Sequence, residues 1–137
     1  MEDSVIFKSD EQVFLENSDM LEKAGFSFCP VGWSQLVRQL FDDIRQTCKK
    51  NNSPVPKVLQ VKSKFGGLRF YLEHDPVFAA SPSGIETYRL ITEAEEKSLT
   101  ICEITGEPGT LYIKNHWWAT LSETKAKELG YVKRKND

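Results

Sequence analysis

The sequence predicts an α+β fold: amphipathic helices packed on a small antiparallel β-sheet, with a degenerate zinc-ribbon-like module at the C-terminus. Three stretches carry that prediction. Trp33, Leu36, Val37, Leu40, Phe41, Ile44 and Cys48 recur at helical spacing and form one apolar stripe over Trp33–Lys50. Val58 to Glu73 (VLQVKSKFGGLRFYLE) places two runs of strand formers around Lys64-Phe65-Gly66-Gly67, where Gly66 and Gly67 can supply the positive φ of a tight turn. Beyond Leu99, short strand-like runs alternate with the turn Thr105-Gly106-Glu107-Pro108-Gly109 and end in a serine-capped helix.

In chain order, Ser9 to Ala24 reads as helical, with Val13, Phe14 and Leu15 as its apolar patch. Asn17-Ser18-Asp19 can split it and cap a second turn that buries Met20 and Leu21, and Gly25 can stop it. Lys49 and Lys50 end the long helix, where cations favour the dipole. Trp33 and Cys48 on its stripe read as core. Asn51 to Pro56 is the link to the hairpin. His74 to Gly84, with two prolines, reads as a loop. Ile85 to Ser98 reads as a second helix with Ile85, Tyr88, Leu90, Ile91 and Ala94 inward. Thr100–Glu103 and Thr110–Ile113 read as strands, and Trp117–Leu121 leads into a helix from Ser122 to Leu129, closed by Gly130. The 137 residues suit one domain. Its parts are a helix–hairpin–helix portion (1–98), the C-terminal module (99–131) and a basic tail (132–137).

Composition excludes several classes. Hydrophobic residues make up 39 %, enough for a core, so the chain is no disordered regulator. Cys29, Cys48 and Cys102 are odd in number and unpaired in spacing, which fits a reducing compartment. The N-terminus MEDSVIFKSDE lacks the pattern of a secretory signal, and no apolar run reaches a membrane span. A cytoplasmic protein with no membrane partner is expected. Net charge is only −2, but it is segregated: residues 1–24 carry −5, residues 45–72 carry +7 and residues 73–107 carry −6. The plainest reading is that these blocks pair within the fold or face water.

Cys102-Glu103-Ile104-Thr105-Gly106, followed by Ser122-Glu123-Thr124-Lys125, has the layout of a treble-clef zinc module, in which two x2-spaced pairs supply four ligands. Here the four positions hold Cys102, Thr105, Ser122 and Lys125. Only Cys102 binds zinc strongly, and a lysine repels a cation. No metal and no cofactor are expected, and Trp117, Trp118, Leu111, Ile113 and Leu121 are expected to hold the module by packing. The Trp-led helix, FGGLRFY (Phe65 to Tyr71), AEEKS (Ala94 to Ser98), CxxxGxPG and WxTL (Trp118 to Leu121) together resemble a family of small uncharacterised bacterial and phage proteins. Members of that family read FGGLRFY, CxxCGxPG and WxxTLC. The resemblance spans roughly residues 31–130. It implies an architecture and no activity, and this chain departs from the family at the zinc ligands.

Catalytic signals are weak, and no catalytic residue is assigned. His74 beside Asp75 is a poor base–orienter pair because neighbours on a loop rarely meet in that geometry. Phe65-Gly66-Gly67 lacks the ending of a phosphate loop. A residual site joining Cys102 to His116 or Cys29 is the remaining option. The expected function is therefore non-catalytic: a protein-binding inhibitor or adaptor, such as a toxin-immunity or phage counter-defence protein. It would use Glu11, Glu16, Asp19 and Glu22 to cover a basic surface on its partner. The alternative is nucleic-acid binding through the hairpin 57–69, with Lys57, Lys62, Lys64 and Arg69 on phosphates and Phe65 stacking on a base.

Overall fold

The computed structural model describes residues 6–22 and 27–133. Helix α1 spans Glu11–Glu16 and is capped by Asp10, whose carboxylate accepts from the Gln12 N–H. It is much shorter than the expected Ser9–Ala24. Asn17 takes the C-cap and its side-chain amide bonds back to the Val13 carbonyl at 2.7 Å, so the chain turns there. Val13 and Phe14 are buried as expected, but Leu15 points out and is 69 % exposed. Met20 and Leu21 then run along the edge of β1 (Val58–Lys64), with Val58 N–H donating to Met20 O and Glu22 N–H to Val58 O. Ala24 and Gly25 lie outside the described residues.

A 3-10 turn (Val31–Trp33) leads into α2 (Ser34–Lys50), which buries Val37, Leu40, Phe41, Ile44 and Cys48, as its stripe predicts. Strand β1 pairs antiparallel with β2 (Gly67–Leu72). The two-residue turn between them is Phe65–Gly66, with φ +54° and +77°. Gly67 is not a turn residue; it opens β2 opposite Lys64. Positive φ at both central positions is what a type I′ turn demands, and it matches the right-handed twist of the strands.

The stretch read as a loop is largely helical. Helix α3 (Pro76–Ala80) and helix α4 (Pro82–Ser98) follow almost without a break. Asp75 caps α3 and Ser81 caps α4, each directly before a proline in the first turn. Proline costs nothing there because its missing N–H would be unpaired anyway. Gly84 permits the tight corner: a Cβ on it would fall 1.8 Å from the Phe78 carbonyl oxygen. Helix α4 packs on α2 and β2. Ile91 and Ala94 are buried on it, whereas Ile85 is 65 % exposed and not inward. Phe41 of α2 meets Phe70 of β2 edge to face, 5.2 Å between ring centres.

The C-terminal portion is a second, smaller layer. Strands β3 (Thr110–Lys114), β4 (Trp117–Leu121) and β5 (Val132–Lys133) form a sheet in the order β4-β3-β5. Helix α5 (Glu123–Leu129) is capped by Ser122 and ends at Gly130, φ +77°. Thr100–Glu103 is not a strand. Cys102 N–H bonds Glu107 O and Gly106 N–H bonds Cys102 O, which folds the segment back on itself and leaves one bridge, Ile101 to Pro108. Of the basic tail, Val132 and Lys133 pair with β3, and the remainder lies outside the described residues.

Two apolar clusters result. The larger joins α1, α2, β1, β2 and α4; the smaller gathers Cys102, Ala119, Leu121, Ala126 and Tyr131. Trp33, fully buried in the larger cluster, holds the segment that leads into the C-terminal turn through its indole N–H on the Ile101 carbonyl at 2.9 Å. Among the described residues no helix is long and apolar enough to cross a membrane.

Candidate functional site

Strand alternation sorts the hairpin into two faces. Val61, Leu68 and Phe70 point into the core and are buried. Gln60, Lys62 and Lys64 on β1, with Arg69 and Tyr71 on β2, share the outer face, because Gln60 opposes Tyr71 and Lys62 opposes Arg69. The Lys62 ammonium sits 5.7 Å from the Tyr71 ring centre and the Lys64 ammonium 5.6 Å from that of Phe65. At the tip the Phe65 ring is 64 % exposed.

Gly66 points the other way and docks the tip onto the second layer. Its carbonyl accepts from the Thr120 hydroxyl at 2.7 Å, and a Cβ on it would fall 2.5 Å from Leu111 Cδ2. The docking leaves an open cleft of about 300 Å³, small among ligand pockets. Leu99, Leu111 and Trp118 form its apolar lining, with Lys64, Phe65 and Arg69 beside them.

Charge pairing separates the two sets of residues that the sequence singles out. In the acidic segment, Glu16 bonds Arg38 of α2 at 2.8 Å, Asp19 bonds Arg45 at 2.7 Å and Glu22 lies 3.8 Å from Lys57. Asp10 joins Arg38 as well, at 3.2 Å. The Glu16 hydrogen bond holds the Arg38 guanidinium above its usual range, and the Ser34 hydroxyl, with Arg38, holds the Asp10 carboxyl below its own. Glu11 makes no ion pair among the described residues. On the hairpin, Lys57 is tied to Glu22, but Lys62, Lys64 and Arg69 form no ion pair within 4.0 Å among the described residues, the nearby Glu95 carboxylate being taken by the Phe70 N–H at 3.1 Å.

Of the zinc-type positions, Thr105 and Ser122 lie near Cys102. Burial pushes the Cys102 thiol up, but hydrogen bonds from the Thr105 hydroxyl and from the N–H groups of Thr105, Ser122 and Ile104 outweigh it and leave the thiol below its ordinary value. Ser122 Oγ in turn accepts from Lys125 N–H, and the Lys125 ammonium turns away to Glu128 at 3.0 Å. One thiol, two hydroxyls and an ammonium do not fit a zinc ion. Among the described residues no three His, Cys, Asp or Glu side chains converge on a common point. His116 is exposed in the β3–β4 turn, roughly 20 Å of strand away from Ser122. Cys29 belongs to the other core, where burial pushes its thiol up to about 12. Trp117, expected in the packing of this module, is 60 % exposed, whereas Leu121 is fully buried.

Sequence reasoning missed Glu103. It is 3 % exposed and has no charged partner among the described residues; Ser63 Oγ and Thr120 N–H each contact its carboxylate at 2.9 Å. Burial pushes its pKa up to about 7, against the pull of those two hydrogen bonds. No pattern marks an acid inside a turn as buried.

No family model, curated protein or solved structure matches the chain.

Proposed function

We propose that this protein acts by binding an anionic partner through the outer face and tip of the β1–β2 hairpin, without chemistry of its own. The partition of ion pairs carries this reading. Carboxylates of the N-terminal segment are engaged by Arg38, Arg45 and Lys57, while Lys62, Lys64 and Arg69 form no ion pair within 4.0 Å among the described residues. Three cations outside any close ion pair, beside an exposed aromatic ring, attract negative charge and steer its approach. Blocking or adaptor roles, including immunity or counter-defence, are compatible with such a surface. The acidic-segment route has less support, since only Glu11 of its four residues lacks an ion pair among the described residues.

Retention on an immobilised polyanion such as heparin tests the reading. Wild-type protein is expected to bind at low salt despite its net charge of −2, and Lys62→Glu with Lys64→Glu is expected to flow through. Wild-type protein in the flow-through, or a double variant eluting at the same salt, would overturn it.

A further inference from the structure

Resting on that reading, we infer that the anionic partner is a single-stranded nucleic acid, with an unstacked base against Phe65 and the adjoining cleft and its phosphates on Lys62, Lys64 and Arg69. The conformation of Phe65 is the first argument. A non-glycine residue at φ +54° carries a backbone cost, of the order of 1–2 kcal/mol. Asparagine or glycine would avoid that cost in a type I′ turn. Nor does the ring recover it by burial, being 64 % exposed. Strain at an exposed apolar side chain works against stability and holds the ring where a ligand can reach it.

The second argument is the chemistry around the ring. Lys64 and Arg69 adjoin an apolar lining of Leu99, Leu111 and Trp118 in a cleft of about 300 Å³. Apolar surface bounded by cations suits a flat base attached to a phosphate chain. A polypeptide of acidic residues alone would satisfy the cations and leave the apolar lining and the ring unused. A duplex fits less well, because its bases are stacked and offer only their edges. The hairpin cannot project into a major groove as a free ribbon either, since Gly66 is tied to Thr120 and packed against Leu111.

Fluorescence anisotropy with labelled 20-nucleotide mixed-sequence probes, single-stranded DNA, single-stranded RNA and duplex DNA, tests the inference beside poly-L-glutamate as competitor. Single-stranded probes are expected to bind more tightly than duplex, with a salt slope of about −2 from three phosphate contacts. Phe65→Asn is expected to weaken single-strand binding about 5- to 150-fold, the range of one lost stacking contact, while heparin retention is kept. Duplex binding as tight as single-strand binding, or single-strand binding unchanged in Phe65→Asn, overturns the inference and leaves the anionic surface standing. Equal displacement by poly-L-glutamate does the same. Failure of wild-type protein to bind heparin at all removes both.

Discussion

Ser63 of β1 and Glu103 of the C-terminal turn are joined by a 2.9 Å hydrogen bond across the boundary between the two layers. The Glu103 carboxylate also takes the Thr120 N–H, so one buried acid ties the hairpin to β4. Its pKa, about 7, lies above its ordinary 4.5. The folded state therefore holds a proton that the unfolded state has released. The stability from that proton is fully present below the unfolded value and is lost as pH rises through the folded one. A shift from 4.5 to about 7 corresponds to about 3 kcal/mol lost above pH 7. Glu103→Gln mimics the neutral form, its carbonyl accepting from Thr120 and its amide donating to Ser63. Urea unfolding at pH 5 and pH 8 is expected to show the variant close to wild type at pH 5 and clearly more stable at pH 8. The same difference between variant and wild type at both values would mean that the Glu103 pKa is not raised in the fold.

Gly32 joins the same layers from the other side. Its N–H donates to Glu103 O at 2.8 Å, and a Cβ on it would fall 2.0 Å from Cys102 O and 2.7 Å from Glu103 O. Both obstacles are backbone, so nothing small can move aside. Gly32→Ala is expected to destabilise by about 3 kcal/mol, the upper part of the usual overpacking range. A change below about 0.5 kcal/mol, ordinary for an open surface site, would show that the close approach is absent.

The parts of the fold that were legible are those with strong local periodicity. The α2 stripe and the alternation of Val61-Lys62-Ser63-Lys64 each specify one buried face. Helix α3 was hidden because Asp75-Pro76 and Ser81-Pro82 serve equally as turn signals and as cap-plus-first-residue pairs. The pairing of acidic block with basic block was expected, as in Asp19–Arg45 and Glu22–Lys57, but the individual partners were not legible because they are long-range: Glu16 and Arg38 are 22 residues apart, and only the packing of α1 on α2 brings them together. In the candidate surface, Lys62, Lys64, Phe65 and Arg69 could be read from the hairpin, but Leu99, Leu111 and Trp118 come from elements that meet it only in space.

Phe65 should also report on stability. Phe65→Asn makes the turn Asn-Gly, the pair best suited to two positive φ values. Relief of the left-handed strain, against loss of one exposed cation–π contact with Lys64, is expected to stabilise by about 1 kcal/mol. A higher urea midpoint with an unchanged slope would show it. A lower midpoint would mean that the ring contributes packing, and the argument from strain would fail.

Thr87 lies on the inner face of α4, fully buried, and its hydroxyl has no hydrogen-bond partner among the described residues. An unsatisfied buried hydroxyl costs about 1–3 kcal/mol. Thr87→Val keeps the branched shape and removes the polar atom. Thermal unfolding is expected to show a stabilised variant. Loss of stability would place an ordered water or an unrecognised acceptor at that hydroxyl.

The Cys102 turn offers a test of the zinc-module layout. The Thr105 hydroxyl and the N–H groups of Thr105, Ser122 and Ile104 act on the Cys102 thiol against its burial and hold it below its ordinary value, the setting of a thiolate. Lys125 sits in the first turn of α5, one helical turn beyond Ser122. If this layer shares treble-clef geometry, Thr105→Cys, Ser122→Cys and Lys125→Cys together with Cys102 complete a tetrahedral thiolate site. Without metal the triple variant should be less stable than wild type by about 1 kcal/mol, because Ser122 no longer caps α5. With zinc at a thousand times its dissociation constant it should gain about 4 kcal/mol, while wild-type stability stays unchanged by the metal. Cobalt titration reads the geometry directly, through the strong visible absorption of a tetrahedral thiolate complex. A folded triple variant that takes up cobalt without that absorption, or takes up none, would show that the turn and the α5 N-terminus do not converge, and the likeness to a zinc module would be lost.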